Sequence, residues 1–505
     1  MIYAFVFLVA VGFMAYLLAT PEASTKTHHN DPEMNGQLLR GTRVLSTSHG
    51  AEIVAIKGGE LGATLAGIPI PKSIEVNSFL FAGGPGSGKS LAFVQMLQYA
   101  RAEGHRAIVV DNGGDLLSRL YRPCDVILNP LDTRSEAWSL FSEMRETYDA
   151  LRLSKSVVPD ADGPAAEWTG YGQQLVAAVL QRLWEKGGVY ATTEELVRVL
   201  TVAPIEELQE LCAGLPAITM MSGEIGKMFG SIRAIVGSKL AVYPYLQKTD
   251  KPFSLTDFIQ GEGSSFVFLT YRDDQFSMLS PLIAAQLDVC ISALLSMGES
   301  RKRRVWFALD EFATLGRISS IEPLLSKGRK YGGSTILGLQ SISQLTDAYN
   351  REKGQTILSC LGTWLVLRSP DADTAEYMAR FLGKQELLRT TKSHRGGNDQ
   401  GEGWSQSVAE AFTVMPSTLQ NLPDCQGFLS LVGDYHPFRV RVPFLATIAD
   451  QAKAFILRDL KTEAQIDATA RAEATAEADK AQIDDILKMI PANMLPQSTS
   501  PSSNG

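Results

Sequence analysis

The segment FAGGPGSGKS, Phe81–Ser90, decides the fold class. Gly83, Gly88, Lys89 and Ser90 occupy the fixed positions of the phosphate-loop pattern GxxxxGK[ST]. Gly83, Gly84, Pro85, Gly86, Ser87 and Gly88 would form a cradle, because glycines let successive backbone N–H groups converge on phosphate oxygens where a Cβ would obstruct the approach. Lys89 would bring a point charge to the β- and γ-phosphates, and the Ser90 hydroxyl would complete a Mg2+ shell. A glycine-rich turn can match such a pattern by chance. Here it stands between the apolar run SFLFAG and the helically spaced KSLAFVQMLQYARAEG, the strand-loop-helix context the pattern needs. The loop is expected to bind a nucleoside triphosphate with Mg2+.

Outward from the loop, short apolar runs alternate with amphipathic ones. AIVVD and DVILNP read as strands, and after residue 253 the rhythm resumes with SSFVFLTYR, PLIAAQLDVCISALLSM, RRVWFALDEF, IEPLLSKGRKYGG, STILGLQ, TWLVLRSPD and DTAEYMARFLG. Such alternation predicts βαβ units and a mostly parallel sheet, an α/β fold. Residues 136–252 break it with helical spacing, as in EWTGYGQQLVAAVLQRLWEKGG, and are expected to be an all-α insertion between 46–135 and 253–447. Residues 385–410, charged and glycine-rich, suggest a hairpin or loop, and GFLSLVGDYHPFRVRVPF a closing strand pair. Residues 448–505 read as an Ala- and acid-rich helical stretch ending in a disordered PQSTSPSSNG.

Composition sets limits on partners and compartment. With a hydrophobic content of 45% and a charged content of 20% the chain is globular, and its net charge of −8 excludes a protein that coats nucleic acid by bulk charge, leaving only local contacts. Cys124, Cys212, Cys290, Cys360 and Cys425 are dispersed, which fits neither a zinc site nor a disulfide framework and suits a reducing compartment. Ile2–Ala19 carries no charge and would span about 27 Å as a helix. No Lys or Arg precedes it, whereas Lys26, Arg40 and Arg43 follow, so residues 1–20 are expected to be an uncleaved transmembrane anchor with the bulk of the chain cytoplasmic. Residues 21–45, including a solvated His28–His29 pair, read as linker.

A phosphate loop needs a second acidic site, and RRVWFALDEF offers one: an apolar strand ending in Asp310 and Glu311 at the carboxyl edge of a parallel sheet, where such folds bind ligands. Asp310 would orient Mg2+ and Glu311 would polarise the attacking water. Gln340, closing STILGLQ, is a candidate sensor of the γ-phosphate. In LLSKGRKYGG, Arg329 beside Lys327 and Lys330 is either a solvated helix-end cation or an arginine finger on a neighbouring subunit. RKRR at 301–304 precedes its strand and reads as a solvated face or a DNA or lipid contact.

Taken together, GGPGSGKS, FALDEFATLGRISSIEPLLSKGRKYGGSTILGLQSISQL and the helical insertion resemble the TrwB/TraD type IV coupling proteins of conjugative secretion systems, relatives of the RecA-like translocases FtsK and HerA. The similarity runs from about residue 40 to about 445 and includes RLYRPCDVILNPLDTRSEAWSLFSEM. It implies a RecA-like P-loop domain, a homo-hexameric ring with ATP at subunit interfaces, and a central channel for DNA. In that pattern Lys89, Ser90, Asp310 and Glu311 match the Walker positions, Arg329 the trans-acting arginine and Gln340 the sensor. The implied task is to recruit the relaxase-bound transfer strand at the inner membrane and drive it into the type IV secretion channel. Relatives usually carry two membrane helices, whereas one is expected here, so that either one span suffices or the chain starts at the second. Two other functions suit the same motifs: an assembly or export ATPase without a DNA substrate, and a nucleotide-stabilised docking scaffold.

Overall fold

The structure, a computed structural model, describes residues 37–221, 223–394, 402–444 and 450–461. Its centre is a nine-stranded sheet. The strands are β4 (Phe79–Ala82), β5 (Arg106–Asn112), β6 (Val126–Ile127), β7 (Phe266–Tyr271), β8 (Val305–Leu309), β9 (Gly333–Leu339), β10 (Thr363–Val366), β13 (Gln426–Ser430) and β14 (Phe438–Arg441), preceded in the chain by β1 (Gln37–Gly41), β2 (Leu61–Leu65) and β3 (Ile68–Pro71). Across the sheet the order is β14-β13-β10-β4-β9-β8-β5-β7-β6. All pairings from β10 to β6 are parallel, and β13 and β14 close one edge antiparallel. The α/β architecture with a mostly parallel central sheet is therefore present, as the alternation of apolar and amphipathic runs predicts.

Side chains of successive strand residues point to opposite faces, and the sheet is buried on both. Leu80 and Ala82 of β4, Ile108 and Val110 of β5 and Phe307 and Leu309 of β8 enter one core; Phe79, Phe81, Ala107, Val109, Trp306 and Ala308 enter the other. The second core is closed by the helix Lys89–Ala102 and by the β2–β3 hairpin. The first extends into helices Asp149–Val157, Ala165–Lys186, Thr193–Thr201, Ile205–Leu211 and Gly223–Leu240, which lie between β6 and β7 in the chain. Glu143, fully buried, ties the exit of this helical segment to its entrance. Its carboxylate accepts the Trp138 Nε1–H at 2.9 Å and the backbone N–H groups of Leu255 and Thr256 at 2.8 and 2.9 Å.

Local pattern and tertiary pairing disagree in two places. Gln37–Gly41, within the stretch expected to be linker, forms β1 and pairs antiparallel with β11 (Lys384–His394), which pairs in turn with β12 (Glu402–Phe412). QLLRG has no alternation of its own, so only a hairpin 346 residues away, contacted by the Arg40–Glu386 ion pair, makes it a strand. Asp450–Arg458, expected within a helical stretch, is instead an extended strap against the loops after β5 and β6: Gln451 N–H donates to Ser118 O, Ile456 N–H to Asp132 Oδ2 and Arg458 N–H to Leu131 O. Its hydrogen bonds are intersegment ones, which helical periodicity cannot register. Asp273–Leu295 is long and apolar enough to cross a membrane, with a mean hydropathy of 1.8, yet it is buried in the first core. The expected anchor at residues 1–20, the remainder of the linker and residues 462–505 lie outside the described residues.

Candidate nucleotide-binding site

β4 delivers the phosphate loop and the helix Lys89–Ala102 leaves it, so the loop adjoins the positive end of the helix. Gly86 and Gly88 have φ of +69° and +106°, the left-handed region that favours glycine. Neighbouring strands clamp the loop: Gly83 N–H donates to Leu339 O at the end of β9 and Gly84 N–H to Arg368 O just past β10, at 3.0 and 2.7 Å. Cys425 N–H, just before β13, donates to Ser87 O at 3.0 Å. Pro85 and Gly86 form the exposed crest, while Ser87 and Lys89 are buried.

Sheet order brings the remaining groups to this loop. β9 lies next to β4 and β8 next to β9, so the carboxyl ends of three adjacent strands carry the phosphate loop, Gln340, and the Asp310–Glu311 pair. Gly338 makes that convergence possible, because a Cβ there would stand 1.7 Å from the Asp310 carbonyl oxygen. The Lys89 ammonium donates to Gly83 O at 2.6 Å and Gly84 O at 3.3 Å. Burial lowers its pKa, and the nearby Asp310 and Glu311 carboxylates oppose that shift. Burial pushes the Asp310 carboxyl up to about 6 against the pull of Lys89. The Glu311 carboxylate accepts from both flanking strands: the Gln340 amide at Oε1, and the Asn112 Nδ2–H at Oε2, 3.1 Å away.

A Mg2+–nucleotide fits what these residues leave open. Ser87 Oγ and Asp310 Oδ1 are buried polar atoms without a hydrogen-bond partner among the described residues, a costly arrangement unless a ligand completes them. At two of its glycines a side chain would crowd the loop: a Cβ at Gly84 would stand 2.8 Å from Pro370 and one at Gly88 3.1 Å from Cys425 Sγ.

Type IV secretion-system coupling proteins are represented by a family model, that of their DNA-binding domain, and it matches residues 62–443. The chain belongs to that family. Coupling protein TraD of Escherichia coli (strain K12) is 28% identical over 424 residues, which is 82% of this chain but 59% of TraD. Thus the chain spans less than two thirds of that relative's length. Plasmid coupling protein TrwB, solved in complex with the ATP analogue ADPNP, is 31% identical with a TM-score of 0.75, over 84% of this chain and 98% of that one. TrwB in complex with ADP and Mg2+ is likewise 31% identical at a TM-score of 0.75, over 84% and 99% of the two chains.

Of the residues singled out in the sequence, Lys89, Ser90, Asp310, Glu311 and Gln340 share one sheet edge in this coupling protein. Arg329 does not. It is exposed on the turn Gly328–Tyr331 that leads into β9, at the opposite end of that strand from Gln340, roughly 23 Å away at the rise of a strand. RKRR at 301–304 lies at the same far edge, where Arg303 Nη1–H donates to Tyr331 O and Lys330 faces Glu299. Asn112, Arg368 and Cys425 are site residues that motif reading passed over. For Asn112 a signal existed: AIVVDN, like WFALDE, ends an apolar strand in two polar residues. The other two lie beyond strand ends without a pattern.

Proposed function

We propose that this chain is a membrane-anchored, ATP-driven DNA translocase that couples a relaxase-bound transfer strand to a type IV secretion channel. The observation that carries the reading is the Glu311 carboxylate, set one residue past Asp310 on the strand edge that faces the phosphate loop. A loop that only held nucleotide would need no such group. TrwB, similar over nearly its whole solved chain, takes ADPNP and ADP with Mg2+, which supports ATP and Mg2+ as the ligands here.

In this mechanism the loop from Gly83 to Gly88 wraps the phosphates and the N–H groups beyond Pro85 donate to them, those of Gly83 and Gly84 being committed to neighbouring strands, while Lys89 neutralises the β- and γ-oxygens. Ser90 and Asp310 would hold Mg2+, which supplies charge neutralisation across those phosphates. Glu311 orients and polarises the water, and Gln340, next to the loop, exchanges its contact with Glu311 for the γ-phosphate, thereby reporting hydrolysis. Arg329 is out of reach of the site in its own chain, which supports a homo-hexamer where it completes a neighbour's site. The uncharged Ile2–Ala19 stretch, followed by Lys26, Arg40 and Arg43, supports a single-pass anchor in the inner membrane with the bulk cytoplasmic. Glu311→Gln tests this reading in a conjugal transfer assay: transfer is lost while ATP binding persists. Transfer at the parental frequency would leave a docking scaffold.

A further inference from the structure

Glu311 is held from both sides, and the two holders differ. Asn112 closes β5, a strand hydrogen-bonded to β8 on one side and β7 on the other. Its neighbours are fixed: Asp111 accepts the Leu117 N–H at 2.7 Å, Gly113 N–H donates to Tyr271 O at 3.0 Å, and Ala454 of the strap covers Gly114 so closely that a Cβ there would be 2.7 Å away. The Asn112 amide donates to Glu311 Oε2 at 3.1 Å and has no other side-chain hydrogen bond among the described residues. A carboxylate only accepts, so the contact must use the Nδ2 protons. Gln340, in contrast, ends a strand adjoining β4 and stands between Glu311 and the phosphate loop, with two partners open to it.

We propose that Asn112 is a positioning residue for hydrolysis: it keeps the Glu311 carboxylate anchored through Oε2, so that Oε1 is presented to the water when Gln340 turns to the γ-phosphate. This rests on the reading of Glu311 as the water-polarising acid. A carboxylate released by Gln340 and held by nothing else would rotate about its terminal torsions, and small misplacements of a catalytic group cost large factors in rate. Asn112 thus acts on turnover and not on nucleotide binding, which belongs to the loop on β4.

The full-length protein carries the test, with Asn112→Ala, Asn112→Asp and Glu311→Gln compared for steady-state ATP hydrolysis, affinity for a fluorescent ATP analogue and thermal unfolding. The aspartate is isosteric and keeps the packing, but it replaces the amide donor by a carboxyl group that either repels the Glu311 carboxylate or shares a proton with it, so the neutral donor that fixes Oε2 is lost in both cases. Expected are a kcat lower by ~10-fold or more in both Asn112 variants, lowest in Asn112→Asp, with KM and analogue affinity within about twofold of the parent. A kcat within about fivefold of the parent in Asn112→Asp, or a parallel fall of kcat and affinity, overturns the proposal. If Glu311→Gln hydrolyses ATP normally, the underlying reading of Glu311 fails; if it is inactive while Asn112→Asp turns over like the parent, only the role of Asn112 fails.

Discussion

Gly338→Ala is the sharpest probe of how β8 and β9 assemble the site. The new Cβ would stand 1.7 Å from Asp310 O, 2.6 Å from Asp310 C and 3.1 Å from its Cα, all backbone atoms that no rotamer change can move. A contact of about 3.0 Å requires the strand ends to separate by roughly 1.3 Å, a distortion of the kind that costs about 1–3 kcal/mol in a packed interior. The catalytic consequence is larger, since an error of about 1 Å in a reacting constellation can cost about 100-fold in rate. If β8 yields, Asp310 and Glu311 move and nucleotide binding persists; if β9 yields, Gln340 moves and the Leu339 carbonyl that holds Gly83 goes with it, so affinity falls too. The assay is kcat for ATP hydrolysis beside equilibrium binding of an ATP analogue and the thermal midpoint. A Gly338→Ala protein with parental kcat and midpoint would refute the close approach.

Three further outcomes follow from the same contacts. Asp310 must be a carboxylate to hold Mg2+, and burial raises its pKa to about 6, so the Mg2+ concentration needed for half-maximal hydrolysis should rise as pH falls from 7 to 5; a requirement independent of pH would contradict the placement of Asp310. Asp111, buried beside it, is pushed up to about 8, above the value of an unfolded aspartate, so stability attached to its protonated form declines as pH rises through that window; Asp111→Asn should gain thermal stability over the parent more at pH 8 than at pH 5. Arg317, six residues past Glu311, donates to Asp162 Oδ2 at 2.5 Å and Asp160 O at 3.2 Å, and Asn350, with φ of 59°, and Lys353 meet Asp162 at 3.3 and 3.5 Å. We expect Asp162→Ala to keep basal hydrolysis within about threefold while losing most stimulation by DNA, because the helical segment then no longer grips the strand-end segment; equal loss of both rates would refute that coupling.

Much of the site could be read from the sequence because its parts are local strings. A phosphate loop needs only its own backbone, its strand and its helix, and WFALDE announces an acidic strand end within six residues. What could not be read is which strand ends meet. Asn112 and Glu311 are 199 residues apart and touch only because β5 lies against β8, a fact of sheet order. Clamping of the phosphate loop by Arg368 and Cys425 depends likewise on β10 and β13 lying beyond β4. β1 and the Asp450–Arg458 strap were illegible for the same reason: their hydrogen bonds go to distant segments, and neither carries a period of its own.

The most direct measurement is ATP hydrolysis by the full-length protein with and without single-stranded DNA, at low and raised salt, beside Lys89→Ala. Contacts to phosphates weaken steeply with salt, so a DNA-coupled motor should show stimulation that is strong at low salt, fades as salt rises, and is absent in the Lys89→Ala protein. Hydrolysis that is abolished by Lys89→Ala yet indifferent to DNA at every salt concentration would contradict the translocase account and leave an ATPase that serves protein partners instead.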